Sequence, residues 1–425
     1  MSKMTVTKKE CFGDVYYTAT HKTGLRIFVY PKEGYASTYA IFGTAYGSVD
    51  TTFRRSDEKE LHTVPEGIAH FLEHKLFESE DGDAFSRYAK TGANANAYTS
   101  FDKTCYLFSC TENFQASLEI LLDFVQSPYF TAQTVQKEQG IIGQEIRMYD
   151  DDPEWRVMFN LLGALYHNNP VKIDIAGTVE SISKITDNLL YQCYRTFYSL
   201  NNMVLCVVGK VDPQEVFDLA DRMLKPGEDF KVIKSFPEEP RSVVKTYVEQ
   251  RFPISVPMFQ LGFKEEAPAG RRSAKELADT QILLELLASE SSPLYRRLLD
   301  AGLINSTFGY EYFELPGCAS VLFGGESIDP QKVAEEIKKE VASLRKNGIA
   351  QEDFERARRA VYGRAIASLG SVESVCNNLV ECAFSGRSIE DAIHAAAQTT
   401  KEDVQDRLEQ QLWPEYAALS VVLPA

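Results

Sequence analysis

The sequence predicts an α+β fold of two homologous domains, each an antiparallel sheet faced by helices. Three observations carry that expectation. Short β-rich runs bounded by proline and glycine alternate with helical runs, as in layered sheet-and-helix domains. A stretch rich in proline and charge, from Lys225-Pro226-Gly227-Glu228-Asp229 to Pro237-Glu238-Glu239-Pro240, divides the chain near its middle. Segments of the first half return in the second at an offset of about 210 to 218 residues. Thr131-Ala132-Gln133 ahead of a charged helical run is echoed by Ile349-Ala350-Gln351, and Phe85-Ser86-Arg87-Tyr88 by Leu294-Tyr295-Arg296-Arg297. At 425 residues the chain can bury two cores. The expected division is 1–228, a linker at 229–240, and 241–425.

The elements follow in order. Residues 25–30 and 37–42 are β-rich and read as strands. Pro65 suits a first helical turn, so a helix is expected from there through residue 74. Residues 92–99 and 104–109 read as strand, turn, strand. Residues 118–125 and 134–148 read as helices, the second ending at Asp150-Asp151-Asp152-Pro153. Residues 203–208 form an apolar strand. The bulk composition narrows the function. A formal net charge of −16 argues against nucleic-acid binding, which calls for basic patches. Eight scattered cysteines with no C-x-x-C pair read as small buried side chains in a reducing compartment. No apolar segment follows Met1-Ser2-Lys3, and no apolar run approaches 18 residues. A cytoplasmic protein without a membrane span is expected.

The chemistry is concentrated in His70-Phe71-Leu72-Glu73-His74. Residues four apart share a helix face, so both imidazoles can reach one metal ion, and Glu73 can reach a water on it. This is the H-x-x-E-H order, the reverse of H-E-x-x-H. With six histidines in the chain, its chance occurrence is roughly one in a hundred. A hydrolytic zinc takes three protein ligands and keeps one position open. Candidates for the third are Glu138 and Glu145, seven apart and therefore on one face of the second helix, where apolar neighbours make unpaired carboxylates costly. The part of the second half that should match the motif reads Thr280-Gln281-Ile282-Leu283-Leu284-Glu285, a packing helix. One half carries the metal chemistry. Elsewhere, His167 and His394 read as surface or capping residues, Asp150-Asp151-Asp152 as a solvated acidic loop, and Gly324-Gly325 as a strand end.

The order H-x-x-E-H, then Asn96-Ala97-Tyr98-Thr99, then the E-x6-E helix of Glu138 and Glu145, resembles the pitrilysin/insulinase family of zinc metallopeptidases. The likeness is greatest to its short two-domain bacterial members. The resemblance implies an insulinase-like half-molecule that binds one Zn2+ per chain through His70, His74 and Glu145. It implies Glu73 as general base, Glu138 as support for the ligands, and hydrolysis of extended peptides or oligopeptides. It also implies that zinc brings the pKa of its water to about 7 and that Asn96 and Ala97 lie on an edge strand that pairs with substrate backbone.

One position departs from the family pattern. An Arg, six residues and then a Tyr are expected in the metal-free half. Arg297 fits, but the Tyr position falls on Ile304, with Tyr310 or Tyr312 as substitutes. The resemblance and this departure imply a second chain, either a zinc-free homologous subunit or another copy. Two other roles fit the same scaffold: a non-catalytic assembly subunit, or a maturation protease for one peptide or protein.

Overall fold

A computed structural model describes residues 4–80, 82–266 and 270–425. Met1, Ser2 and Lys3, part of the N-terminal reading above, lie outside the described residues. The first sheet has seven strands, in the spatial order Val6–Cys11, Asp14–Thr20, Arg26–Pro31, Met203–Gly209, Thr38–Thr44, Thr104–Cys110 and Asn94–Thr99. The second has five, in the order Tyr247–Phe252, Ala417–Pro424, Met258–Lys264, Cys318–Glu326 and Gly309–Leu315.

The last five strands of the first sheet and the five of the second have one topology. In each the outermost pair is parallel, Arg26–Pro31 with Met203–Gly209 and Tyr247–Phe252 with Ala417–Pro424. The other three pairings are antiparallel. The duplication is therefore real at the level of strand order, and each sheet departs from the expected antiparallel pattern at one pair. The parallel partner is the last strand of its sheet to be made. It returns from a helical excursion, which a parallel connection requires.

By compactness the chain forms two units, and the division is not the single cut expected at 229–240. One unit comprises Met1–Ile146, Asp174–Ser235 and Ala367–Glu390; the other comprises Arg147–Ile173, Phe236–Ile366 and Asp391–Ala425. The segments out of sequence each contain a helix. Helix Val372–Ser385 packs on strands Met203–Gly209 and Thr38–Thr44 of the first sheet. Helix Pro153–Leu165 packs on Ala417–Pro424 and Met258–Lys264, the equivalent strands of the second. Gly262 accommodates this second contact: a Cβ there would lie 2.7 Å from a methyl of Leu165. The exchanged helices occupy matching places in the repeat, because each follows the second of two long helices in its half.

The expected linker is docked along much of its length. Val232–Lys234 is a short strand paired with Thr52–Arg55, and Lys234 forms an ion pair with the buried Asp50 at 2.7 Å. In the other unit, Glu239 accepts the backbone N–H groups of His167, Asn168 and Asn169. His167 is thus part of a backbone anchor. Asp152, from the acidic run, caps helix Pro153–Leu165 by accepting the N–H groups of Glu154 and Trp155. Gly324 and Gly325 lie within the strand Cys318–Glu326. All eight cysteines are free thiols, seven of them buried. Among the described residues no helix is long and apolar enough to cross a membrane.

The motif helix runs Ile68–Leu76 and starts three residues later than Pro65 suggested. Gly67 sets that start. It is left-handed, with φ +84°, and a Cβ there would lie 2.2 Å from the carbonyl oxygen of Ala176. No L side chain meets both conditions without displacing the backbone. Replacing Gly67 with Ala is expected to lower stability by about 2–3 kcal/mol and to misplace the helix. Urea unfolding, with metal content measured on the same protein, checks this.

Candidate metal centre

The motif helix presents three polar side chains on one flank while Ile68, Ala69, Phe71, Leu72 and Leu76 enter the core of the first unit. His70 is buried and His74 and Glu73 are partly so. The partner helix spans Ala132–Asp150, longer at both ends than the 134–148 expected. Its buried residues, Val135, Ile142, Gly143 and Ile146, turn Glu138 and Glu145 toward the histidines.

Three side chains meet at one point. Ligand atoms of His70, His74 and Glu145 all lie within 4.8 Å of one another. His70 Nε2 is 3.7 Å from Glu145 Oε1, and His74 Nε2 is 3.5 Å from Glu145 Oε2. Both separations are too long for strong hydrogen bonds. They approach the edge of a tetrahedron built on metal–ligand bonds of about 2.0–2.1 Å, which is roughly 3.3 Å. The other nitrogen of His74, Nδ1, lies 3.0 Å from Glu138 Oε1. A carboxylate on one ring nitrogen makes that nitrogen the donor and leaves the opposite one as a lone-pair ligand. Glu138 therefore orients His74, and Glu145 joins the histidines.

Charge supports the same reading. Burial, with a smaller contribution from the neighbouring His74, pushes the His70 pKa down to about 3. His70 is therefore neutral across the physiological range. Burial also pulls His74 down, but its hydrogen bond to Glu138 and the charges of Glu73 and Glu145 outweigh that and raise its pKa. Glu73 is raised mainly by burial, against the opposing hydrogen bond from Thr99. Three carboxylates, Glu73, Glu138 and Glu145, gather around two imidazoles on a partly buried flank, and a bound cation would offset their mutual repulsion. Two imidazole nitrogens and one carboxylate are a donor set suited to a zinc-like divalent ion with an open position.

Glu73 stands beside this group and accepts the Thr99 hydroxyl at 2.7 Å. Thr99 ends the strand Asn94–Thr99, whose only neighbour in the sheet among the described residues is Thr104–Cys110. Its other edge is the rim of the sheet. Asn96 is exposed on that strand, and its side-chain oxygen accepts the Ala97 N–H.

Comparison with known proteins fits this arrangement. Residues 58–179 match the insulinase (peptidase family M16) profile and residues 184–361 the peptidase M16 inactive domain. A Bacillus subtilis (strain 168) protein, the uncharacterized zinc protease YmfH, is 41% identical over 422 residues, 98% of each chain. The chain belongs to peptidase family M16. A crystal structure from Alicyclobacillus acidocaldarius, described as an M16-like peptidase, superposes with a TM-score of 0.92 at 36% identity, covering 100% of this chain and 99% of that one. A Helicobacter pylori protease shares the fold, with a TM-score of 0.81 at 21% identity over 97% of this chain and 100% of its own. The M16 insulinase match encloses His70, Glu73, His74, Glu138 and Glu145.

Arg297 falls in the M16 inactive-domain match. Its guanidinium pairs with Glu340 at 2.5 Å. Ile304 is buried in the apolar core of that unit. Tyr310 donates to Glu285, and the Tyr312 hydroxyl accepts from Arg272. Both tyrosines thus have partners within their own unit. Thr99 is the residue that sequence reasoning passed over. It closes the quoted N-A-Y-T run, but its role depends on a register that only the folded strand pair supplies.

Two expectations follow for a divalent metal. Replacing Glu138 with Gln should weaken binding by about 10- to 100-fold, measured by competition with a chromophoric chelator. In the parent, protons compete with metal at His74 below its raised pKa. Affinity should therefore fall as pH drops from 8 to 6, approaching tenfold per unit, and Glu138→Gln should move that fall to lower pH.

Proposed function

We propose that this chain is a zinc-dependent peptidase that hydrolyses peptide bonds in extended peptides or oligopeptides. The convergence of His70, His74 and Glu145 beside Glu73, within one strand of a free sheet edge, carries the reading. His70, His74 and Glu145 would hold Zn2+, one per chain, and Glu138 would keep the His74 ring in place. When bound, zinc supplies a Lewis acid and a water acidic enough to lose a proton near neutral pH.

Glu73 is the general base. It lies next to the ligand cluster without belonging to it, and burial raises its proton affinity toward the working range. It takes a proton from the attacking water and gives it to the departing amine. The rim of Asn94–Thr99 offers backbone N–H and C=O groups to a peptide in extended form, with Asn96 and Ala97 at the contact. Such pairing reads main chain more than side chain and gives broad sequence tolerance. Arg297 would contribute to substrate holding on release from Glu340.

Ile304 packs in a core where the family pattern has a tyrosine, which favours completion of the site by a second chain. That chain is a metal-free homologue or another copy of this one. The cytoplasm is the proposed compartment, from the free thiols. An assembly-only role has less support, because such a role needs neither the ligand set nor the base.

Purified protein loaded with zinc, alone or with a metal-free homologous subunit added, should cleave members of a peptide library, and a chelator should abolish cleavage until zinc is restored. Glu73→Gln should keep about one zinc per chain and lose at least about 100-fold in kcat. Undiminished turnover by that variant would falsify the assignment of the base.

A further inference from the structure

The hydroxyl next to Glu73 belongs to an ordered pair. Thr99 faces Thr104 across the strand register. Thr104 is fully buried, and its hydroxyl donates to the Tyr46 carbonyl at 2.8 Å. A hydroxyl has one proton and a carbonyl only accepts. The Thr104 proton is therefore committed, and its oxygen can only accept. Thr99 Oγ1 lies 3.3 Å from that oxygen and 2.7 Å from Glu73 Oε2. Its single proton goes to the nearer, charged acceptor, the stronger of the two bonds.

We propose that Thr99 is a positioning residue for Glu73. By binding Oε2 it fixes the carboxylate rotamer and leaves Oε1 to meet the water proton. Thr104, locked by the Tyr46 carbonyl, backs Thr99 from behind. Thr99 also terminates the strand proposed to receive substrate, so one element both seats the peptide and aims the base. The inference rests on the peptidase reading above and adds a residue to it.

The test uses Thr99→Val, which keeps shape and removes the hydroxyl, and Thr99→Ser, which restores it. Zinc content, kcat and KM are measured on the full chain, and crystal structures of both metal-free variants are solved. Thr99→Val should retain zinc, keep KM within about threefold and lose about 10- to 100-fold in kcat. Thr99→Ser should return kcat to within about threefold of the parent. Glu73 should leave its position in the Val structure and keep it in the Ser structure. An unchanged kcat in Thr99→Val, a loss that Ser does not rescue, or a Glu73 carboxylate unmoved in Thr99→Val would overturn the proposal. A parent that cleaves no peptide, either alone or with a metal-free homologous subunit added, with Glu73 displaced in Thr99→Val, supports the positioning role and overturns the peptidase reading instead.

Discussion

Three carboxylates and two imidazoles share one partly buried flank of the motif helix, and that concentration of charge constrains everything around it. Glu138 and Glu145 arrive on one helix and Glu73 on another, with His74 in contact with both helices' acids. The separations of Glu145 from the two imidazoles suit a shared divalent ion better than direct hydrogen bonds, whereas Glu138 bonds His74 directly. The surrounding backbone is correspondingly fixed. Gly67 adopts a conformation that Ala176 leaves open only to glycine, and Thr99 holds Glu73 from the strand side. The site is held from two helices and a strand, rigid elements that fix its geometry.

The duplicated halves show how local that chemistry is. Ala132 aligns with Ala350, an offset of 218 residues, which places Glu138 opposite Arg356 and Glu145 opposite Gly363. Arg356 is occupied by Asp353 and Ser291. The motif histidines correspond to a segment of helix Ala274–Ala288 in which Thr280, Leu283 and Leu284 are buried in packing. Strand order, parallel pair and exchanged helix all persist without the ligands. The fold does not need the metal, whereas the metal site needs the fold.

Much of this was legible in the sequence, for identifiable reasons. Helical spacing makes His70, Glu73 and His74 neighbours whatever the tertiary structure, and the same holds for Glu138 and Glu145. That Glu145 joins the histidines while Glu138 backs one of them depends on how two helices cross, which spacing alone leaves open. The family resemblance supplied that distinction. The start of the motif helix was misplaced because Pro65 is a sound local signal, overridden by the close approach of Gly67 to Ala176. The linker looked loose because proline and charge mark loops, but those signals are blind to an edge such as Thr52–Arg55 waiting to be paired. The exchange of helices left no trace in composition, since either sheet presents an apolar face that accepts an amphipathic helix.

That exchange has a consequence for the order in which the protein is made. Helix Val372–Ser385 braces the hairpin beside the metal centre: Asn377 accepts the Tyr98 hydroxyl at 3.3 Å and Glu381 pairs with Lys103 at 2.9 Å. Those bonds join residues 279 and 278 positions apart. On a ribosome, His70, Glu73, His74, Glu138 and Glu145 all emerge long before the helix that steadies the neighbouring hairpin. The first sheet waits with two central strands uncovered while most of the chain is synthesised. Closure of such distant contacts is slow and leaves apolar surface exposed meanwhile. The first unit therefore reaches its final packing late, only after the chain has been synthesised past residue 385.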